Sequence, residues 1–183
     1  MNNAPRSAQW YSIAMLVFAG DQAAKSYIDM TTPLGWLQEV TAFFNLVHVL
    51  NPGAAFSFLA GAGGWQRWFF LAIALAASAW LVWQLYRPLQ KLEALSYSLI
   101  LGGALGNAFD RAIRGQVVDY LDFHLHGWHW PAFNVADMAI VGGAAALVLQ
   151  SLVSGEKVAV KRRTGLRPGQ KKSVGTMAPD DYP

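Results

Sequence analysis

The sequence predicts a membrane all-α protein: a bundle of four transmembrane helices, with a small strand-bearing segment and a short interfacial helix on one side. Three observations predict it. Of 183 residues, 54% are hydrophobic and only 14% charged, against about 25% charged in a typical soluble domain. Four apolar stretches, each close to the ~20 residues that cross a bilayer, divide the chain. Seven of the fourteen Lys and Arg residues (Lys157, Lys161, Arg162, Arg163, Arg167, Lys171 and Lys172) lie beyond the last stretch. A basic tail beside a span marks the cytoplasmic side and its anionic lipids rather than a nucleic acid. The chain has no Cys, which excludes disulfides, thiolate zinc sites and cysteine nucleophiles.

The first span, residues 10–28, is apolar up to Gly20 and then carries Asp21, Gln22 and Lys25. A cleaved signal peptide fits this poorly, because charges stand where the apolar run should end and no small-x-small site follows. Residues 29–64 are punctuated by Pro33, Gly35, Asn51-Pro52-Gly53 and Gly61, with β-branched and aromatic residues over 43–50. That pattern predicts one or two short strands and a turn outside the bilayer, and 54–60 a short helix lying on the interface. Spans at 65–86, 95–113 and 133–153 follow, with Trp and Tyr near several ends as interfacial belts. Residues 1–153 thus make a single membrane domain, and the polar tail 154–183 is expected to be disordered.

Four spans place both termini and the loop carrying Arg87 and Lys91 on one side, with ten of the fourteen positive residues. The positive-inside bias makes that side the cytoplasm. Asp21, Lys25, Asn51, Arg111, Asp119 and Asp137 then converge at the outer end of the bundle. Ionisable groups at that depth are costly and point to function.

In the third span Gly103, Asn107 and Arg111 recur every four residues and share a helix face. Gly102 and Gly106 read as close helix packing. Asp110 points elsewhere and is expected to meet lipid headgroups. Asp21 and Lys25 form an i,i+4 pair, predicted as a structural tie worth a few tenths of a kcal/mol if exposed. Asn51-Pro52-Gly53 is a turn. Asp119 follows the third span, and Asp137 opens the fourth with Asn134 as its cap or partner. Two carboxylates in a low-dielectric cleft share a proton, which supplies a base for water and an acid for a leaving amide nitrogen. Asp122 competes for the Asp119 role. His124, His126 and His129 lack a companion ligand set, so no metal is expected. Ser57, Ser96 and Ser98 lack a nucleophile context.

Four blocks carry a resemblance: Asp21-Gln-x-x-Lys25; Asn51-x-Gly-Ala-Ala-Phe56; Gly102-Gly-x-x-Gly-Asn-x-x-Asp-Arg111 with Val117-Val-Asp119; and Phe133-Asn-x-Ala-Asp137. Each alone is weak, but together and in this order the chain resembles the lipoprotein signal peptidases (signal peptidase II) over residues 21–148. The resemblance implies a four-helix aspartyl endopeptidase of the bacterial inner membrane with an extracytoplasmic β-cradle. It implies diacylglyceryl-modified prolipoproteins as partners, cut just before the lipidated Cys, with no cofactor and a monomeric enzyme set among membrane lipids. Asp119 and Asp137 match the family's catalytic pair. Asn51, Gly53, Gly103, Asn107, Arg111, Asn134 and Ala136 match its substrate-binding positions, and Asp21 and Lys25 its supporting first block. Pro52 and Met138 depart from the pattern. A transporter or proton conductor is the alternative that intramembrane carboxylates suggest. A scaffold locked by polar contacts is a third.

Overall fold

The computed structural model describes residues 4–53, 61 and 63–164, with backbone alone for 4–6 and 154–164. Contacts divide the chain into two compact units, 1–148 and 149–183. The first holds every element except the distal part of the last helix. The interfacial helix expected over 54–60 and the end of the tail lie outside the described residues.

Four long helices form: α1 (Ala4–Thr31), α2 (Gln66–Leu85), α3 (Lys91–Ile113) and α4 (Val135–Thr164). Each outruns or closely matches its expected span. Pro5 suits the first turn of α1, where its missing N–H costs nothing. At its far end the Thr31 and Thr32 hydroxyls donate to the carbonyls of Tyr27 and Ile28, at 2.6 and 2.7 Å. Pro33 then stops the helix. α4 runs on past the expected end of its span, through a Lys- and Arg-bearing stretch of good helix formers. That part of the tail is therefore helical where disorder was expected.

Among the described residues, only α2 and the 135–153 part of α4 are long and apolar enough to cross a membrane by length and composition. The charges of α1 and α3 set them apart, and those charges turn inward. Asp21, Lys25, Asp110 and Arg111 are buried, while Met15, Leu16, Phe109 and Ile113 on the same helices are exposed. α2 exposes Trp68, Phe69, Ile73, Leu75, Trp80 and Trp83. So large an outward apolar surface is what lipid covers.

α3 packs against both α1 and α2. Glycines make the closest approaches: a Cβ on Gly102 would come 2.5 Å from the Ala14 carbonyl of α1, and one on Gly103 would collide with the Ala136 carbonyl of α4. Gly115 ends α3 at φ 86°, and its N–H returns to the Asp110 carbonyl at 3.0 Å. This left-handed terminator turns the chain straight into a strand.

The strands are β1 (Leu37–Thr41), β2 (Phe44–Asn51), β3 (Val117–Leu125) and β4 (Trp128–His129), in antiparallel order β1-β2-β3-β4. β1 and β2 form a hairpin where strands were expected. β3 is the larger surprise, since no strand is expected between the third and fourth spans. Its Val-Val-Asp-Tyr-Leu-Asp-Phe-His sequence has strand propensity. Its first four residues are buried on both faces, which erases the one-sided alternation that would have announced it. Ile28 of α1 packs against Val118 and Tyr120 of β3, fixing the sheet to the end of the first helix.

Candidate active site

β3 and α4 each deliver one aspartate to a common cavity. Along β3, side chains alternate, so Val117, Asp119 and Phe123 face that cavity. Asp122 points to the other face, where Asn45 Nδ2 donates to it at 2.9 Å and His129 Nδ1 lies at the same distance. Period two thus separates Asp119 from its competitor. Asp137 stands in the first turn of α4, capped reciprocally by Asn134. The Asp137 N–H donates to Asn134 Oδ1 at 3.0 Å, and the Asn134 N–H to Asp137 Oδ2 at 3.2 Å. This is a capping box with Asn and Asp in the two roles.

Asparagine amides hold both carboxylates. Asp119 accepts from Asn134 Nδ2 at 2.7 Å and from Asn51 Nδ2 at 3.0 Å. Asp137 accepts from Asn107 Nδ2 at 2.8 Å. Asn51 is itself fixed by its turn, because its Oδ1 accepts the Gly53 N–H at 2.9 Å. Arg111 Nη2 donates to the Gly53 carbonyl at 2.7 Å, and its guanidinium lies 5.2 Å from the Phe70 ring centre. Its Nε is buried and unpartnered among the described residues, and its charge acts on both Asp119 and Asp137. Burial, and next the charge of Asp137, push the Asp119 carboxyl up to about 7, while the Asn51 and Asn134 hydrogen bonds oppose the rise.

The cavity measures about 890 Å³. Asn51, Asn107, Arg111, Asp119 and Asp137 form its polar wall, and Trp130, Phe133, Met138, Ile140 and Val141 its apolar one. The remaining expected substrate-binding residues stand behind that wall. Asn134 and Ala136 have no exposed surface. Gly103 meets the Ala136 carbonyl at the α3–α4 contact, and Gly53 contributes its carbonyl to Arg111. At Gly103 the reason is packing: a position with no room for a Cβ leaves none for a ligand.

One further expectation needs correction. Asp110 does not meet headgroups; it is fully buried, takes an ion pair from Lys25 at 2.9 Å and one from Arg114 within the same helix at 2.6 Å. The expected Asp21–Lys25 ion pair forms, 2.9 Å apart and with both side chains at 0% exposure. Gln22, Arg67 and Arg114 have structural roles that sequence reasoning missed. Gln22 Nε2 donates to both buried carboxylates, at 3.2 Å to Asp21 and 3.1 Å to Asp110. Arg67 binds the Arg111 and Ala112 carbonyls at the end of α3, at 2.7 and 2.8 Å. The Gln22 signal was readable, one residue after Asp21. Arg67 had none, because its partners are backbone carbonyls. His124 and His129 stack at 5.0 Å, and no group of three His, Asp or Glu could hold a metal among the described residues.

Two carboxylates, each held by amides in one large cavity beside apolar helices, are an arrangement that hydrolases of the aspartyl type use. A family model described as signal peptidase (SPase) II matches residues 13–153, and the chain belongs to that family. A protein named lipoprotein signal peptidase from Cupriavidus pinatubonensis is 54% identical over 144 residues, 78% of this chain and 82% of that one. Another of that name, from Aeromonas hydrophila, is 51% identical over 152 residues, 81% of this chain and 91% of that one. A solved structure described as a bacterial membrane enzyme, determined by the in meso method at 2.3 Å, aligns with a TM-score of 0.71 and 28% identity. That alignment covers 90% of this chain and 95% of the other. A second such structure, at 1.9 Å, gives 0.69 and 32% over 79% and 93%.

Proposed function

We propose that this chain is the aspartyl endopeptidase that removes signal peptides from diacylglyceryl-modified prolipoproteins, cutting before the lipidated Cys, with Asp119 and Asp137 as its catalytic pair. The single observation that carries the reading is the shared cavity: two aspartates from different elements line it, each carboxylate restrained by asparagine amides. A water between them loses its proton to the ionised carboxylate as its oxygen attacks the scissile carbonyl carbon. The protonated partner hydrogen-bonds the developing oxyanion, and a proton then passes to the departing amide nitrogen as the C–N bond breaks. Asp119, raised to about 7, keeps one proton on the pair near neutral pH; the titration belongs to the pair. Arg111, Asn51 and Asn107 bind the substrate backbone. The apolar wall and the surrounding lipid take its acyl chains.

All four helices span the bacterial inner membrane, with the sheet as an extracytoplasmic cradle and both termini in the cytoplasm. The enzyme works as a monomer, residues 1–153 being its membrane domain. The inward turn of Asp21, Lys25, Asp110 and Arg111 on α1 and α3 supports spans that composition alone rates poorly. A transporter would need polar groups at several depths. Here the buried carboxylates and cations gather about one end of α1 and α3, beside the sheet.

The test is cleavage of a diacylglyceryl-modified prolipoprotein by purified enzyme, with and without EDTA. Turnover should resist chelation and vanish in Asp119→Asn and Asp137→Asn at unchanged folding; full turnover in Asp137→Asn sinks the pair. For topology, a periplasm-only reporter should be active when inserted between Gly61 and Gly64 and silent after Val153. The reverse pattern overturns the orientation.

A further inference from the structure

Each aspartate of the pair is preceded by a residue whose backbone N–H is anchored by a second, buried aspartate. The N–H of Val118, before Asp119, donates to Asp110 Oδ2 at 3.3 Å. The N–H of Ala136, before Asp137, donates to Asp21 Oδ1 at 2.9 Å. Both anchors meet at one cation: Lys25 Nζ lies 2.9 Å from Asp21 Oδ2 and 2.9 Å from Asp110 Oδ2. Its third donor goes to Asn107 Oδ1, also at 2.9 Å. An ammonium has three donors, and all three are used. With its oxygen held by Lys25, the Asn107 amide must present its N–H to the active site, where it reaches Asp137 Oδ1 at 2.8 Å.

Lys25, Asp21 and Asp110 have no exposed surface. With Arg114 on Asp110, two carboxylates face two cations. Such a buried network gives little net stability over an apolar core of the same volume, so stability alone does not account for it. Its geometry does have a consequence. It joins α1, α3, β3 and α4 at the point where both reacting carboxylates leave the backbone.

We propose that Lys25 is a positioning residue for the cleavage reaction, its ammonium fixing the separation of Asp119 and Asp137 through Asp110 and Asp21, and the orientation of the Asn107 amide that holds Asp137. It touches neither substrate nor reacting atoms and acts through its three acceptors. The inference rests on the aspartyl-peptidase reading above and adds the device that sets the pair's geometry.

The experiment compares wild type, Lys25→Met and the double variant Lys25→Met/Asp21→Asn in cleavage of a diacylglyceryl-modified prolipoprotein. Asp119→Asn serves as the dead control, and rates are taken per folded molecule, with folding read from thermal melts by circular dichroism. The double variant restores charge balance (Asp110 against Arg114), and the amide oxygen it places at position 21 can still accept the Ala136 N–H. A displacement of about 1 Å costs on the order of 100-fold, so kcat should fall about 100-fold in both variants. KM should change far less than kcat, because Asn51, Arg111 and the apolar wall are untouched and Asn107 alone among the substrate contacts loses its anchor. Wild-type kcat in either variant overturns the proposal. So does recovery in the double variant alone, which would leave Lys25 a mere counter-charge, and so does failure of both to fold, which would make it structural only. A wild-type chain that does not cleave removes the peptidase reading itself and the inference with it, an outcome distinct from normal wild-type turnover with indifferent Lys25 variants.

Discussion

In front of the aspartate pair, Asn51, Asn107 and Arg111 line an open cavity of about 890 Å³; behind it, Asp21, Lys25 and Asp110 have no exposed surface at all. Both regions are made of carboxylates, a cation and amides, with hydrogen bonds of similar length. What separates them is water and spare bonding capacity. The rear cation spends all three donors on protein acceptors, whereas the front cation keeps a buried Nε without a partner among the described residues. A saturated network holds geometry, and an unsaturated one beside a cavity has something left for a ligand. An open, unsaturated front suits chemistry and a closed, saturated rear suits positioning, although both combine carboxylates, cations and amides.

That division can be broken at several points. The largest effect is expected at the front: Asp119→Asn or Asp137→Asn should cut turnover by about 10⁴-fold or more, with small change in melting temperature, as read by prolipoprotein cleavage and circular dichroism. Retention of a tenth of the activity would mean that these carboxylates do not perform the chemistry. Next in size is the roughly 100-fold loss in kcat from Lys25→Met. A third change strikes the rear through packing. A Cβ at Gly106 would lie 2.5 Å from Asp21 Oδ2, so Gly106→Ala should destabilise by about 1–3 kcal/mol, visible as a lower melting temperature. An unchanged melt would show that the rear network yields easily and is no rigid frame.

A fourth change sharpens the front by pH. The proton that Asp119 carries is lost as pH rises through about 7, so kcat/KM should decline there on its alkaline limb. Asn51 stabilises the ionised form; Asn51→Ala therefore raises the carboxyl further and moves that limb to higher pH, with kcat/KM measured from about pH 5 to 9. A shift to lower pH would contradict the assigned hydrogen bond. The smallest effect is expected at Asp122→Asn. This carboxylate sits on the opposite face of β3 with Asn45 and His129, and cleavage should remain within about three-fold. A large loss would return Asp122 to the candidates.

How much of this was legible beforehand depended on the range of the interaction. Gly103, Asn107 and Arg111 share a helix face by their spacing, and the capping of Asp137 by Asn134 spans three residues; both are local. The choice of Asp119 over Asp122 required knowing that a strand runs there, and β3 was hidden because burial on both faces removed its alternation. Asp110 was misjudged for a related reason. Its place next to Arg111 pointed it away from the Asn107 face, whereas residues three apart are neighbours on a helix; Asn107 and Asp110 both meet Lys25, and β3 closes over Asp110.

Composition and charge placement by themselves determined a lipid-embedded helical protein, and the four ordered blocks determined its family and the aspartates to watch. These features survive in sequence because hydropathy, helix period and short motifs are read along the chain. Only the tertiary structure decided which polar residues face the cavity and which stand behind it. That sorting is set by contacts such as Lys25 to Asp110, Asp21 to Ala136 and Asn51 to Asp119. Their partners lie far apart in sequence, and whether water reaches them depends on the packing of elements that no single stretch of chain contains.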